Sequence, residues 1–194
     1  KQIFDWVYQK VVLSFSEMKN ISKTNQALLD QEFEILPFLN QETLAASDGM
    51  ATKYILELAS HQFIEAVALK EKGYETLCVS SQSGCPVNCS FCLTGVAGLK
   101  QNLKREEIVA QVLNARAKGH PITHLVFMGM GEPMLNFDEV FGAIRHLCDE
   151  TTFNFSKRKI TVSTSGIIQG VKRLIEEEIV VNLAFSVGHP NPEK

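Results

Sequence analysis

No excess of positive charge marks this sequence: 19 lysines and arginines stand against 22 aspartates and glutamates, a formal net charge of −3. A nucleic-acid-binding protein usually shows a basic surplus, so composition alone carries no such signal. The local basic spots, Lys100, Lys104 and Arg105 and then Lys157, Arg158 and Lys159, each read alone as a solvated face. No run is long and apolar enough to span a bilayer, and no membrane partner is expected. The opening KQIFDWVYQKVV lacks the charged, then apolar, then small pattern of a secretory signal. It also lacks an initiator methionine, so the chain is expected to start inside a longer protein. There is no internal repeat and no low-complexity stretch. Cysteine is scarce, and three of the five fall within eight residues, unlike a secreted disulfide framework. A reducing cytoplasm is the expected compartment. What the chain does have is 45% hydrophobic residues over 194 positions, enough for one large domain or one domain and a smaller one.

Periodicity divides the chain into three stretches. Over 1–35 the pattern is helical. Phe4, Val7, Tyr8, Val11 and Val12 recur at helical spacing, and Ser22 or Thr24 opens a second helix through Ala27, Leu28, Leu29 and Phe33. Over 36–77 the period changes to two. Tyr54–Leu58 and Phe63–Leu69 read as strands joined by a turn at Ser60, His61 and Gln62, and Asp48-Gly49 marks another turn. From about Thr76 onward strands and helices alternate. A short strand at 76–80 is followed by a helix at 105–118 that Gly119 and Pro121 end, and a buried strand at 122–128. Asn136 and Glu139 form a capping box for a helix with Val140, Phe141, Ile144 and Leu147 inward. A strand at 159–163, a helix at 167–178 and a strand at 179–187 complete the series. That alternation implies a parallel sheet. Four strands and three helices do not close a barrel, and a last strand left as an open apolar edge is an aggregation hazard. The C-terminal part is therefore expected to be missing.

The strongest local signal is Cys85-Pro-Val-Asn-Cys89-Ser-Phe-Cys92. Soft thiolates with gaps of three and two residues select an iron-sulfur cluster or zinc. Structural zinc needs four ligands. Cys78 is the nearest candidate for a fourth, while His120 and His124 flank a strand and would reach the trio only by accident of folding. Three ligands on a cubane leave one iron open for a substrate's amine and carboxylate. Phe91 either packs on an adenine ring or anchors the loop in the core. Ligands of parallel α/β folds bind at the C-terminal ends of strands. There stand Gly129-Met130-Gly131-Glu132-Pro133, with Glu132 an acceptor for a ligand ammonium, then Ser163 before Thr164-Ser165-Gly166, and Ser186. Cys78 precedes the cysteine loop and is either at the mouth of the fold or a small buried residue, as Cys148 is. Glu65 sits in an alternating strand, where it can simply point to solvent.

Taken together, Cys78-Val-Ser-Ser-Gln-Ser-Gly-Cys85, the cysteine trio, MGMGEPMLN at 128–136 and SKRKITVSTSG at 156–166 resemble the RlmN/Cfr family of radical S-adenosylmethionine (SAM) RNA methyltransferases over essentially the whole chain. The resemblance implies an α/β fold, a partial radical-SAM (βα)6-type barrel truncated to about four strands. A helical accessory region (1–35) and a β-hairpin extension (36–77) would precede the core (78–194). It implies a 4Fe-4S cluster on Cys85, Cys89 and Cys92, and SAM contacts from Gly131, Glu132, Ser163 and Ser186. In the family one SAM methylates a cysteine near the C-terminus. A second is cleaved to a radical that takes a hydrogen from that methyl group, and the carbon adds to adenine. Glu65 is then the implied proton acceptor, and Cys78 the thiol that resolves the covalent RNA intermediate by forming a disulfide. The implied product is adenine methylated at carbon 2 in large-subunit ribosomal RNA and in transfer RNA. The implied partners are those RNAs and an electron donor such as flavodoxin or ferredoxin, with the enzyme a monomer. The methyl-carrying cysteine is not in this chain. In one departure, Ser186-Val-Gly-His-Pro replaces the family's SLHAP, so Gly188 stands where the family has histidine and His189 follows. The alternatives are carbon-8 methylation, a diverged radical SAM paralogue, and a zinc-stabilised RNA-binding module.

Overall fold

The computed structural model describes residues 1–188; residues 189–194, His189 among them, lie outside the described residues. At the N-terminus α1 (Gln2–Phe4) runs directly into a wider i→i+5 turn over Asp5–Gln9, closed by Lys10 N–H on Asp5 O at 3.0 Å. The helix expected to carry Val11 and Val12 therefore ends at Gln9, three residues short of Val12, and Val11 turns the chain at φ +56°. A left-handed conformation at a β-branched residue cannot belong to a helix. The second helix, α2 (Lys23–Glu32), starts where expected, with Ser22 Oγ accepting from Asn25 N–H at 3.3 Å.

Seven strands form one continuous sheet, in the order β1-β2-β3-β4-β7-β8-β9. Strands β1 (Phe38–Ala45), β2 (Ala51–Leu58), β3 (Phe63–Glu71) and β4 (Tyr74–Cys78) pair antiparallel. From β4 onward β7 (Ile122–Phe127), β8 (Ile160–Thr164) and β9 (Asn182–Phe185) pair parallel. Four parallel strands and an α/β class match expectation. Sequence periodicity missed β1, because the apolar residues of FLNQETLA sit in adjacent pairs at its two ends and do not alternate; it is the exposed edge of the sheet, where polar side chains discourage pairing with another chain. A small second sheet, β5 (Gln82–Ser83) with β6 (Gln101–Asn102), brackets a loop that includes the short helix α3 (Leu93–Val96).

Alternation gives the large sheet two unlike faces. On one, Tyr54, Leu56, Ile64, Ala66, Leu77, Leu125, Phe127, Ile160 and Val162 are buried. They share a single core with Ile108 and Val112 of α4 (Arg105–Ala117) and with Val140, Phe141, Ile144 and Leu147 of α5 (Phe137–Cys148). Helix α6 (Ile168–Glu176) adds Leu174 to that core. The register Val67↔Cys78↔Val126↔Thr161 places these residues on the opposite face, and alternation adds Glu65 and Ser163. This second face is only half-buried and is the one that concerns chemistry.

The capping box expected at Asn136 and Glu139 is not formed. Asn136 is buried, and its amide donates to Ser81 O and Leu103 O at 2.8 Å each. Glu139 instead accepts from Arg105 N–H at 2.6 Å, at the start of α4. Both side chains satisfy backbone groups of other segments, which neighbouring sequence does not reveal. Gly119, at φ +91°, follows the end of α4 as expected.

Leu125 is fully buried on the central strand β7, so Leu125→Ala is expected to cost about 2–5 kcal/mol of unfolding free energy. Leu44→Ala, on the exposed edge strand, should stay within about 0.5 kcal/mol. Urea titration followed by circular dichroism measures both.

Candidate active site

Beyond β4 the chain runs through four consecutive buried polar residues, Ser80, Ser81, Gln82 and Ser83. Burial of such a run is tolerable only when each polar group is paired. Gln111 of α4 clamps Ser80 from both sides, accepting from its N–H at 2.9 Å and donating to its carbonyl at 3.0 Å. Ser80 Oγ donates to Glu65 O at 2.6 Å and accepts from Met130 N–H at 2.9 Å. Gln82 accepts from Glu132 N–H at 2.8 Å and donates to Asn102 Oδ1 at 2.7 Å. Ser83 Oγ donates to Phe63 O at 3.0 Å. The segment is thus stitched to β3, to α4 and to the Gly129–Pro133 loop.

The glycines of that loop serve this packing. A Cβ on Gly129 would lie 2.8 Å from Val79 O, and one on Gly131, at φ +100°, would lie 2.6 Å from Gln82 Cβ. Glu132 is 4% exposed. Its carboxylate accepts from Ser165 N–H at 2.8 Å, Ser165 Oγ at 2.9 Å and Met134 N–H at 3.1 Å. Three of its roughly four lone-pair sites are thereby used within the protein. The side chain expected to accept a ligand ammonium is one that latches the loops after β7 and β8 together. Ser163 and Ser186, the other expected contacts, meet at the same strand ends, Oγ to Oγ, at 3.0 Å.

The cysteine loop leaves Gly84 at φ +75°, where a Cβ would collide with Gly98 O, and turns at Asn88, φ +55°. Cys92 N–H donates to Cys89 O at 3.0 Å. Burial pushes the Cys85 thiol up, the Val87 N–H opposes this, and the nearby charges of Glu132, Cys89 and Cys92 push it further up. Three thiolates and a carboxylate in mutual range repel one another unless a cation stands between them, so the donor set suits a metal cluster. Among the described residues no group of three or more His, Cys, Asp or Glu side chains is arranged to hold an ion; in thiolate sites the metal itself supplies that ordering. Phe91 is 78% exposed, which rules out its anchoring the loop in the core. Its ring lies beside Gly188.

The histidines offered as fourth zinc ligands stand at the other end of β7. His120 Nδ1 is 2.7 Å from Glu75 Oε2, and the His124 ring packs on Tyr74 at 4.6 Å. Glu65 and Cys78 share the open sheet face. The Glu65 carboxylate meets Lys53 Nζ at 3.0 Å, a partner that sequence reading missed because the two lie twelve residues apart on different strands. Burial pushes the Cys78 thiol up, and the Met128 N–H, donating to the sulfur, opposes this. All five cysteines are free thiols. The disulfide implied for Cys78 is not formed among the described residues.

Comparison with known proteins agrees with this arrangement. Residues 79–194 match the model of the radical SAM superfamily, and residues 1–35 match the ribosomal RNA large subunit methyltransferase N-terminal domain. The chain is 42% identical to a probable dual-specificity RNA methyltransferase RlmN of Pseudothermotoga lettingae, covering 100% of this chain and 57% of that protein. It is also 42% identical to the dual-specificity RNA methyltransferase RlmN of Halorhodospira halophila, covering 100% of this chain and 54% of that one. The crystal structure of a radical SAM methyltransferase from Sphaerobacter thermophilus superposes with a TM-score of 0.93 at 38% identity, over 99% of this chain and 57% of that chain. The chain spans about half the length of the curated relatives it matches. The chain belongs to the radical SAM superfamily and is similar to its RlmN-type members. Membership implies a 4Fe-4S cluster and SAM as cofactors.

Removing the Glu132 latch leaves buried donors unpaired, so Glu132→Ala is expected to cost about 1–3 kcal/mol in urea unfolding. Because Cys78 is pushed above its ordinary value of 9.0, its alkylation by iodoacetamide should be slow at neutral pH and keep accelerating past pH 9. Peptide mass spectrometry measures that rate.

Proposed function

We propose that the full-length enzyme carrying this chain methylates carbon 2 of an adenine in large-subunit ribosomal RNA and, as a second substrate, in transfer RNA. One observation carries the reading. Three thiols sit on a loop at the C-terminal end of the parallel strands, and Glu65 and Cys78 stand on the open sheet face beside it. Cys85, Cys89 and Cys92 would hold the cluster. Backbone groups around Gly131 and Glu132, with Ser163 and Ser186, would border SAM. When bound, the cluster supplies the electron that cleaves SAM and so the power to activate an inert methyl group.

The remaining steps belong to the protein. An adduct between the adenine and a cysteine outside this chain must be released. Once the adduct's unpaired electron has left it, to the one-electron carrier that the cluster would supply, Glu65 takes the ring proton and the bonding pair stays in the ring. Cys78 attacks the adduct's sulfur as thiolate. A sulfur–sulfur bond forms as the carbon–sulfur bond breaks, and the carbon keeps the electron pair and takes up a proton. The Met128 N–H stabilises that thiolate against the cost of burial. In this reading residues 1–35 are an accessory region for RNA docking, 36–77 an extension that presents Glu65, and 78–194 the catalytic core. The reductant is a flavodoxin or ferredoxin, and the enzyme works as a cytoplasmic monomer.

The test is mass spectrometry of nucleosides from RNA treated anaerobically with the reconstituted full-length enzyme. 2-Methyladenosine is expected, and methylation at carbon 8 would replace the assignment. Alanine at Cys85, Cys89 or Cys92 should abolish iron binding and deoxyadenosine formation. Stoichiometric zinc without iron or sulfide in the anaerobically purified protein would overturn the reading.

A further inference from the structure

The open sheet face carries a charge pattern that the reaction scheme does not use. In the antiparallel ladder Lys53 lies opposite Val67, and Glu65 lies opposite Ile55, so the two are diagonal neighbours on one face. Such diagonals are within reach of long side chains. Lys53 has a second diagonal carboxylate on its other side, Glu42 of β1, which lies opposite Ile55. Glu57, on the same face, is engaged by His61 at 2.8 Å. Of the two carboxylates in its reach, Lys53 pairs with Glu65, Nζ to Oε2 at 3.0 Å. The row below Glu65 reads Lys53, Val67, Cys78, Val126, so the ammonium rises from the level of the resolving thiol to the level of the base.

We propose that Lys53 is a positioning residue for Glu65: it occupies one carboxylate oxygen, keeps the group an acceptor, and leaves the other oxygen to take the proton from the adenine ring. This rests on the reading of Glu65 as the proton acceptor. Both side chains are 41–44% exposed in the free protein, where such a pair adds little to stability. A purine laid over this face removes that water. A carboxylate covered without a cation beside it gives up its charge by binding a proton, and then it cannot accept the one on the ring. Lys53 therefore acts in the RNA-bound state and has little to do with the fold. In the step it serves, the ring carbon–hydrogen bond breaks and the proton ends on Glu65. The bonding electrons remain in the ring, and Lys53 keeps its own protons throughout.

The experiment uses full-length reconstituted enzyme, substrate RNA, SAM and dithionite. Denaturing gels follow the covalent RNA–protein adduct, and deoxyadenosine and iron content report the fold and the first half of the reaction. Lys53→Met is expected to let the adduct accumulate and to slow its release roughly three- to tenfold, with deoxyadenosine formation retained. Glu65→Gln should slow release by roughly a hundredfold or more. Lys53→Arg, which keeps the charge, should restore most of the rate; Lys53→Gln, which keeps the stem and a donor without charge, should not. Release at the normal rate in Lys53→Met while Glu65→Gln stalls would overturn the role of Lys53 and leave that of Glu65 standing. So would an arginine variant as slow as the methionine one. Normal release in Glu65→Gln would remove the base itself and this proposal with it.

Discussion

Two backbone segments approach each other so closely at the end of the parallel strands that a side chain on either facing glycine would collide. The segment after β4, Val79 to Ser83, and the loop after β7, Gly129 to Pro133, touch through Gly129 against Val79 and Gly131 against Gln82. Hydrogen bonds from Ser81 and Gln82 N–H to Met130 O, at 2.8 and 3.1 Å, run along the same seam. Everything else at the site is referred to this contact. It sets where the cysteine loop departs, where Glu132 enters the interior, and how far strand β3, which carries Glu65, lies from both. Ser80 makes the last link, with one hydroxyl bonded to both Glu65 O and Met130 N–H.

Electrostatics explains why a buried carboxylate and a thiol-rich loop coexist here. Glu132 is inaccessible to water and keeps its place through three protein donors, the way a buried acid is normally satisfied. In the cysteine loop the Val87 N–H alone offsets the burial of Cys85. Burial and, to a lesser degree, the neighbouring negative groups hold the Cys85 thiol up. Glu65 shows a third solution, a lysine from the next strand. The three negative groups of the site are thus met by backbone and hydroxyl donors, by an implied cluster and by an ammonium.

Seen through the sheet, the antiparallel extension and the parallel core are one object. Strand β4 is antiparallel to β3 and parallel to β7, so Cys78 stands at the junction with Val67 on one side and Val126 on the other. This continuity brings the Glu65 carboxylate of β3 and the Cys78 thiol of β4 onto one face. It also gives that face a rigid floor, since the opposite side is the core shared with α4 and α5.

Much of this was legible from local pattern. The alternation of strand and helix after 78, the inward stripe of α5, the Ser22 cap and Gly119 after α4 all follow from periods and end signals that depend on a few adjacent residues. The cysteine spacing likewise declares soft-metal chemistry without any fold. The polar edge strand β1 escaped, because nothing in its composition marks it until β2 is there to pair with. Asn136 and Glu139 looked like a helix cap and instead serve Ser81, Leu103 and Arg105. Glu132, read as a ligand acceptor, also holds Ser165. Local sequence decided which elements form and which atoms are chemically able to react. Only the tertiary structure decided which polar groups face one another, because hydrogen bonds and ion pairs such as Lys53–Glu65 join residues distant along the chain, and burial then selects the partner.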